Sequence, residues 1–432
     1  MEPGEREILE KQQRFLFPAI ATYYSEPLVL VRGKGMHLYD AQGREYLDFF
    51  GGILTIIAGH CNDRITDALV DQARRLQHTS TLFVTAPQVE LAEKLAGISP
   101  GRLQKCYFTN SGTEANETAI QIARSYTGRH EVVALRHAYS GRSALAMSLT
   151  GQSAWRMAGP GASGVVHAHN AYCYRCPFEK TYPGCELICA RDMEEMIRTA
   201  SSGRLAAFIA EPIQGVGGFI TPPREYFSVV AEIIRRYGGI YISDEVQTGF
   251  GRTGGKWFGI EHWGVQPDVI TIAKGLGNGS PIGATLALPE IADSLKDLTI
   301  STFGGNPVAA RAARATLDVI ESEGLLENAR VVGEYLRDRL EELKEKHLVI
   351  GDVRGMGLMQ ALELVRDRKT KQPAVEEMRR LMDLTKANGL ILGRGGLHGN
   401  AIRVSPALTC TRRDVDDAVR LLDRSLSQLQ AA

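Results

Sequence analysis

Short apolar runs followed by polar or glycine-rich turns recur through the middle of the chain. Runs that are rich in β-branched residues and bounded by glycine or polar residues are typical of strands buried on both faces. They occupy residues 132–135, 205–210, 240–242 and 269–273. Segments with helical spacing of apolar residues alternate with them. This alternation predicts an α/β domain with a large, doubly wound and mainly parallel sheet.

The two ends of the chain carry a different pattern. Polar and apolar residues alternate around a turn at residues 40–43, which predicts a hairpin. From Leu325 onward, long helical patterns and short strands, with a last helix from Asp414, predict a small α+β domain. The predicted division is an N-terminal segment (1–60) that joins the small domain, a large domain (61–324) and a C-terminal small domain (325–432).

An acid and an amine follow two of the predicted strands. Asp244 comes just beyond the strand at 240–242, and Lys274 directly follows the strand at 269–273. Strands of an open α/β sheet end at one crevice, so both side chains are expected in one pocket. Singly, they would be a helix cap and a solvated lysine. Together they suit pyridoxal 5′-phosphate, which needs a lysine for its Schiff base and an anion at its ring nitrogen.

A turn of small residues offers a place for a phosphate group. Ser111, Gly112 and Thr113 follow a predicted strand at 106–108 and precede a predicted helix. The free amide groups and the positive dipole end of a helix N-terminus bind a phosphate dianion. The alternative interpretation is an ordinary Ser or Thr helix cap.

Three motifs resemble those of the class III aminotransferases, which depend on pyridoxal phosphate. They are residues 211–215 (Glu-Pro-Ile-Gln-Gly), 244–249 (Asp-Glu-Val-Gln-Thr-Gly) and 273–275 (Ala-Lys-Gly). The resemblance covers nearly the whole chain and includes the 4-aminobutyrate, ornithine and type 2 alanine-glyoxylate enzymes. It implies the type I fold of pyridoxal-phosphate transferases and a homodimer or dimer of dimers. It also implies ping-pong transfer of an amino group from an amino acid or ω-amine to a 2-oxo acid.

The resemblance assigns cofactor contacts to individual residues. Lys274 would hold the cofactor and move the proton, and Asp244 would stabilise the charged ring nitrogen. Ser111, Gly112 and Thr113 would hold the phosphate. The remaining contacts implied are Tyr139 and Val246 on the two ring faces, Gln247 at the phenolic oxygen, and Thr302 at the phosphate of the neighbouring subunit's cofactor.

Four residues are expected on the substrate side. Arg403 would clamp an α-carboxylate with its guanidinium, and Glu211 would pair with Arg403 when the substrate lacks that group. Arg142 resembles an arginine that binds a distal carboxylate, although many arginines are simply exposed. Gly52 lies in a glycine-containing segment that resembles the family's substrate-side loop, or is a flexible connector.

Composition argues against large or charged partners. Lys plus Arg and Asp plus Glu both number 50, so the formal net charge is zero and favours neither nucleic acid nor a membrane surface. No apolar run approaches the roughly 18 residues of a membrane span. The start, residues 1–7, is acidic and lacks a signal or transit pattern. We expect a cytoplasmic protein that acts on small molecules.

The cysteines leave open the question of whether the protein binds a structural metal ion. An odd number of them, seven, does not resemble a secreted disulfide framework. Four cluster with a spacing that could form a structural zinc site, namely Cys173, Cys176, Cys185 and Cys189. Packed free thiols or a labile disulfide are the favoured interpretations, and no catalytic metal is expected.

Other functions on the same residues stay open. Pyridoxal-phosphate racemases, decarboxylases and phospho-lyases share the Lys–Asp pair, but the presence of both Arg403 and Glu211 favours transamination. An NAD-dependent oxidoreductase would need a Gly-x-Gly-x-x-Gly motif in a first βα unit, which is missing. A non-catalytic pyridoxal-phosphate-binding protein would not need Lys274.

Overall fold

The structure, a computed structural model, describes residues 4–20, 22–157, 159 and 161–431. The first three residues of the acidic start lie outside the described part. The N-terminal segment contains α1 (Glu5–Phe15), β1 (Leu30–Lys34), β2 (His37–Asp40), β3 (Glu45–Asp48) and the short α2 (Gly51–Leu54).

The next elements form the large domain. They are α3 (Asp63–Arg75), α4 (Ala86–Ile98), β4 (Lys105–Thr109), α5 (Gly112–Thr127), β5 (Glu131–Leu135), α6 (Ala144–Leu149), β6 (Val165–Ala168), α7 (Ile188–Ala200), β7 (Leu205–Ala210), α8 (Tyr226–Arg236), β8 (Ile240–Asp244), β9 (Val269–Ile272), β10 (Gly283–Ala287), α9 (Pro289–Ala292) and α10 (Pro307–Ser322). Short 3₁₀ turns occur at Ser153–Trp155, Cys173–Arg175, Gly259–Trp263 and Lys274–Gly277.

The last part of the chain forms a smaller unit. Its elements are α11 (Leu325–Lys346), β11 (Ile350–Met356), β12 (Met359–Asp367), β13 (Gln372–Pro373), α12 (Val375–Ala387), β14 (Leu390–Ile391), β15 (Gly393–Gly395), β16 (Ala401–Val404) and α13 (Arg412–Ala431). Helix α10 ends and α11 begins on either side of residue 324, where the sequence places the domain limit.

Seven strands form the large sheet, in the order β4-β10-β9-β8-β7-β5-β6. All pairs from β9 to β6 are parallel, and β10 is antiparallel to both of its neighbours. Every residue of β7 and β8 is buried. This burial explains why those strands are apolar runs without alternation, since helices cover both faces of such a sheet. The predicted α/β fold with a mainly parallel sheet is confirmed.

Both chain ends contribute to the smaller unit. Strands β11, β12, β16 and β15 form one antiparallel sheet, whereas β1, β2, β3 and β14 form another. In the second sheet β14 pairs in parallel with β3, so residues about 340 positions apart in sequence are hydrogen-bonded neighbours. Among the described residues, no helix combines the length and the apolar character needed to cross a bilayer.

Local sequence signals set the ends of two important helices. Helix α5 begins after Ser111, whose Oγ accepts a hydrogen bond from the Glu114 backbone N–H at 3.3 Å. It ends at Gly128, whose φ of 62° is left-handed and favours glycine. Before α13, Thr411 and Asp414 exchange side-chain to backbone hydrogen bonds, as the sequence predicts.

Candidate active site

Asp244 and Lys274 line one cavity of about 300 Å³. Asp244 is the last residue of β8, and Lys274 opens the turn that follows β9. These two strands are parallel neighbours, with Asp244 opposite Thr271, so their ends deliver both side chains to the same edge of the sheet. The predicted convergence is therefore present. The strand that carries Asp244 is longer than predicted and includes it.

Asp244 is held by a residue that the sequence analysis missed. Asn116, on α5, donates from Nδ2 to Asp244 Oδ2 at 2.8 Å, and the Val246 backbone N–H donates to Oδ1 at 3.1 Å. Burial raises the pKa of Asp244, and the hydrogen bond from Asn116 opposes that rise. Because Asn116 follows Gly112 by four residues, one turn along the predicted helix, helical spacing offered a weak signal for it.

Lys274 combines an unusual backbone with an unusual proton affinity. Its φ of 44° lies in the left-handed region, which is unfavourable for a residue with a Cβ and is often found at functional sites. Burial lowers the pKa of Lys274 to about 8, against the opposing effect of Asp244 and Glu211. A substantial fraction of the amine is thus uncharged near neutral pH, as a nucleophile or a proton acceptor requires.

Glu211 lines the same cavity but is not paired with Arg403. Its two carboxylate oxygens accept hydrogen bonds from the backbone N–H groups of Tyr139 at 3.0 Å and Gly215 at 2.8 Å. No ion pair between described residues joins Glu211 to Arg403, and the two amides are the partners of the carboxylate in this structure. The pairing expected when the substrate lacks an α-carboxylate stays a prediction. Burial first, then Asp244, raises the pKa of Glu211 to about 8.

Arg403 is buried, with unused donors. Its guanidinium lies over the rings of Phe50 and Phe219, at 5.0 and 5.7 Å from the centroids, and Nη2 donates to Tyr23 Oη at 3.3 Å. Nε and Nη1 are buried and have no hydrogen-bond partner among the described residues. Leaving such donors unsatisfied is costly, so a carboxylate that accepts from one of these nitrogens is a fitting ligand.

The opposite end of the cavity suits a phosphate. Ser111, Gly112 and Thr113 line it where α5 begins, so the first amides of a 16-residue helix face the cavity. Gly112 is needed for packing, because a methyl group there would lie 2.9 Å from Val246 Cγ1. Ser111 also caps the helix through its side chain, so both interpretations of this turn apply.

The remaining ring contacts are also in place. Tyr139, Val246 and Gln247 all line the cavity. Tyr139 is fixed edge to face against Trp155, with centroids 5.4 Å apart. Gln247 Oε1 is buried and has no partner among the described residues, so it is available to a hydroxyl donor. A carboxylate, an amine, an aromatic ring, this free amide oxygen and a helix N-terminus together fit pyridoxal phosphate.

Arg403 is not part of the lining of this cavity, although it lies near enough to Lys274 to lower the pKa of that lysine. Three further predicted residues do not line the cavity either. Arg142 and Thr302 are both exposed. Gly52 is exposed too and, with a φ of 56°, belongs to a left-handed turn at Gly51–Leu54. It lines a second, mainly apolar cavity of about 730 Å³ that also contacts Tyr23 and Phe50, two residues packed on Arg403. Contacts of these three with a cofactor or substrate stay predictions.

The four-cysteine loop gives no support to a zinc site. All four cysteines are free thiols, and they differ in environment: Cys173 is exposed, whereas Cys189 is buried at the start of α7. Within the described ranges no group of three or more His, Cys, Asp or Glu residues is arranged to hold a metal ion. Burial raises the pKa of Cys189 to about 12, which favours an inert thiol. Cys176 and Cys185 are half-buried, so their exposure is intermediate between that of Cys173 and that of Cys189.

Comparison with known proteins agrees with this geometry. The family described as "Aminotransferase class-III" matches residues 20–426. The alanine–glyoxylate aminotransferase 2 homolog 2, mitochondrial, of Arabidopsis thaliana is 44% identical over 428 residues, covering 99% of this chain and 88% of that protein. A leucine/methionine racemase of Thermococcus litoralis is 40% identical over 435 residues, covering 99% and 96%. An (S)-enantioselective omega-transaminase structure from Thermomicrobium roseum has a TM-score of 0.92 and 36% identity, covering 99% of both chains.

Proposed function

The chain belongs to the class III aminotransferases, enzymes that use pyridoxal phosphate to pass an amino group to a 2-oxo acid, and on that premise we propose its substrates and its assembly. The donor is an amino acid or an ω-amine, and the acceptor is a small 2-oxo acid such as glyoxylate or pyruvate. The observation that carries this proposal is the buried guanidinium of Arg403, whose Nε and Nη1 have no hydrogen-bond partner among the described residues and so favour a carboxylate ligand.

The acceptor is proposed to be small because Arg403 is the arginine expected to bind its α-carboxylate and no second arginine is buried beside Lys274 among the residues predicted for the site. Arg403 lies near enough to lower the pKa of Lys274, whereas Arg142 is exposed. A dicarboxylic acceptor would need a partner for its distal carboxylate. The name of the Arabidopsis relative, an alanine–glyoxylate aminotransferase, supports the same choice.

Each side chain of the site has its own role, which follows from its position. Pyridoxal phosphate, when bound, supplies the aldehyde and the ring that accepts electrons. The pKa of Lys274 is lowered to about 8, which increases the uncharged fraction of Nζ, and in that form Nζ accepts the proton from the substrate carbon and returns it. Asp244, oriented by Asn116, keeps a negative charge at the end of the cavity away from solvent. Arg403 orients the substrate through its carboxylate.

Glu211 is proposed to sense the substrate. Two backbone amides hold the carboxylate of Glu211, and this leaves Arg403 open to the α-carboxylate of a substrate. A donor without that carboxylate would leave the guanidinium unsatisfied, and a movement of Glu211 toward Arg403 would satisfy it. Replacing Glu211→Ser should therefore slow the half-reaction with ω-amines while leaving the half-reaction with α-amino acids near the wild-type rate.

Product analysis tests the proposed reaction against racemisation. Purified enzyme is incubated with L-alanine alone, with glyoxylate alone and with both, and the amino acids are resolved by chiral chromatography. Transamination predicts glycine and pyruvate in equal amounts only in the mixture. D-Alanine formed from L-alanine alone, without use of glyoxylate, would instead establish racemisation, the type of reaction named for the Thermococcus relative.

We also propose that the chain works as a homodimer with Thr302 at the partner's cofactor phosphate. Apolar side chains flank Thr302, and three of them are exposed, Leu298, Ile300 and Phe303. Clustered exposed apolar residues mark interaction surfaces. Sedimentation of wild-type and Leu298→Lys protein tests this: the variant should dissociate, and a monomeric wild type would refute the assembly. The cytoplasmic location stays a prediction.

A further inference from the structure

A second polar cavity, of about 210 Å³, shares no lining residue with the lysine cavity. Basic and amide side chains dominate its lining. They include Arg136, His137, His169, Arg175, His398 and Asn170. Among the described residues that line it, none is acidic. A concave site with converging donors and no acceptor charge is suited to an anion.

Two arginines supply donors to this cavity. Arg136 Nη1 approaches His169 Nδ1 at 3.4 Å and has no carboxylate partner among the described ion pairs. Arg175 Nε donates to Glu363 Oε1 at 2.5 Å, whereas its Nη2 is buried without a partner in the described part of the chain. A buried guanidinium N–H left unpaired is expensive, so a ligand that accepts from it is favoured.

The local charges do not cancel. Glu363 contacts both Arg175 and Arg354, and Asp352 contacts Arg354. Arg175 and Arg354 are therefore paired with carboxylates, whereas no described ion pair balances the charge of Arg136. His137 adds no charge near neutral pH, because burial, then His398 and Arg136, lowers its pKa to about 4. Its ring remains a neutral donor or acceptor.

The wall of the cavity is rigid where the anion would lie. Gln214 Nε2 donates to the Arg136 backbone oxygen at 2.8 Å, and Gln152 Nε2 donates to the His137 backbone oxygen at 2.9 Å. Asn170 Nδ2 donates to Gln214 Oε1 at 2.6 Å. These bonds fix the segment that leads directly to Tyr139. A preorganised wall lowers the entropic cost of binding.

We propose that this cavity binds a small oxyanion, inorganic phosphate or the carboxylate of a small organic acid, between Arg136 and Arg175. The site is separate from the proposed transaminase chemistry. Dissolved salt screens the charge of Arg175 only partly, because its Nη2 is buried. Binding of the anion should therefore persist in moderate salt while weakening with ionic strength.

Titration calorimetry of the holoenzyme tests the site, with the cofactor loaded so that its own phosphate position is filled. Inorganic phosphate and acetate are titrated separately at low ionic strength into wild-type, Arg136→Gln and Arg175→Lys proteins. Arg156→Gln is the matched control, since Arg156 also contacts a histidine, His167, but lies outside the cavity.

The expected result is saturable binding of at least one anion, weakened about tenfold by Arg136→Gln and by Arg175→Lys and unchanged by Arg156→Gln. Stronger binding of phosphate or of acetate identifies which source of oxyanion the site selects. Absence of saturable binding by wild type overturns the proposal. Equal weakening in Arg156→Gln, which would indicate only a general effect of surface charge, overturns it as well.

Discussion

Asn116 Nδ2 donates to Asp244 Oδ2 over 2.8 Å, while Asn116 Oδ1 accepts from Thr271 Oγ1 over 2.7 Å. The amide is thereby fixed between neighbouring strands β8 and β9. Asn116 also lies in the helix whose N-terminus faces the phosphate end of the cavity. One helix therefore orients groups at both ends of the site.

Replacement of Asn116 should weaken the electrostatic role of Asp244. In Asn116→Ala the carboxylate loses the side-chain donor that opposes the effect of burial, so its pKa rises above the wild-type value. Loss of a hydrogen bond to a charged group costs about 1.5 to 3 kcal/mol, so kcat/KM should fall roughly ten- to hundredfold. A pH titration of the visible absorbance of the bound cofactor measures the electrostatic effect independently of turnover. Thr271→Ser, which keeps the hydroxyl, should behave like wild type, and an unchanged titration in Asn116→Ala would contradict the assigned role.

The lowered pKa of Lys274 should be visible when cofactor binds to apoprotein. Only the uncharged amine attacks an aldehyde, so the rate of covalent cofactor incorporation should rise with pH, with a midpoint near 8. Stopped-flow absorbance gives this profile. Glu211 raises the pKa of Lys274, so Glu211→Gln should move the midpoint to lower pH. A midpoint near 10 in both proteins would show that burial does not depress the pKa of this lysine.

Arg403 and Arg142 allow a matched comparison. Arg403→Gln removes a guanidinium that can hold a carboxylate, so KM for glyoxylate or pyruvate should rise by about two orders of magnitude. Arg142→Gln changes an exposed arginine that does not line the cavity, and KM for the same acids should change less than about threefold. Steady-state kinetics with both acceptors measure this. Equal effects of the two substitutions would contradict the assignment of the carboxylate to Arg403.

Glu245 should be a structural anchor for the segment after Asp244. It is buried and accepts hydrogen bonds from Thr248 Oγ1 and from the backbone N–H groups of Gly259 and Ile260. Glu245→Ala leaves those donors unsatisfied and should lower the free energy of unfolding by about 3 kcal/mol, measured by urea denaturation. Glu261→Ala, which removes one acceptor from the Phe258 N–H, should cost less than about 1 kcal/mol.

The effect of Glu245 should also depend on pH. Burial raises the pKa of Glu245 from 4.5 to about 7, so the native state binds the proton more tightly than the unfolded chain. Its contribution is fully favourable below pH 4.5 and is lost as the pH rises through 7. The destabilisation by Glu245→Ala should therefore be larger at pH 5 than at pH 8. The opposite trend would contradict the raised pKa of this carboxyl group.

Sequence alone determined the parts of this protein that depend on local pattern. Apolar runs bounded by glycine or polar residues defined strands β5, β7, β8 and β9, because strands covered on both faces consist mostly of apolar residues. Lys274 and Asp244 were found from their places after two such strands, since strand order and direction bring those ends to one edge.

Only the tertiary structure decided which polar groups are partners. Asn116 was missed because its hydrogen bond to Asp244 spans 128 positions, and no local pattern encodes such a pair. Glu211 was expected to pair with Arg403 when the substrate lacks an α-carboxylate, but its two backbone amide partners in this structure carried no signal in the sequence. The cysteine spacing suited zinc, yet folding leaves one thiol exposed and another buried. Periodicity reports which face of an element is buried, whereas distances between elements arise only when all of them pack together.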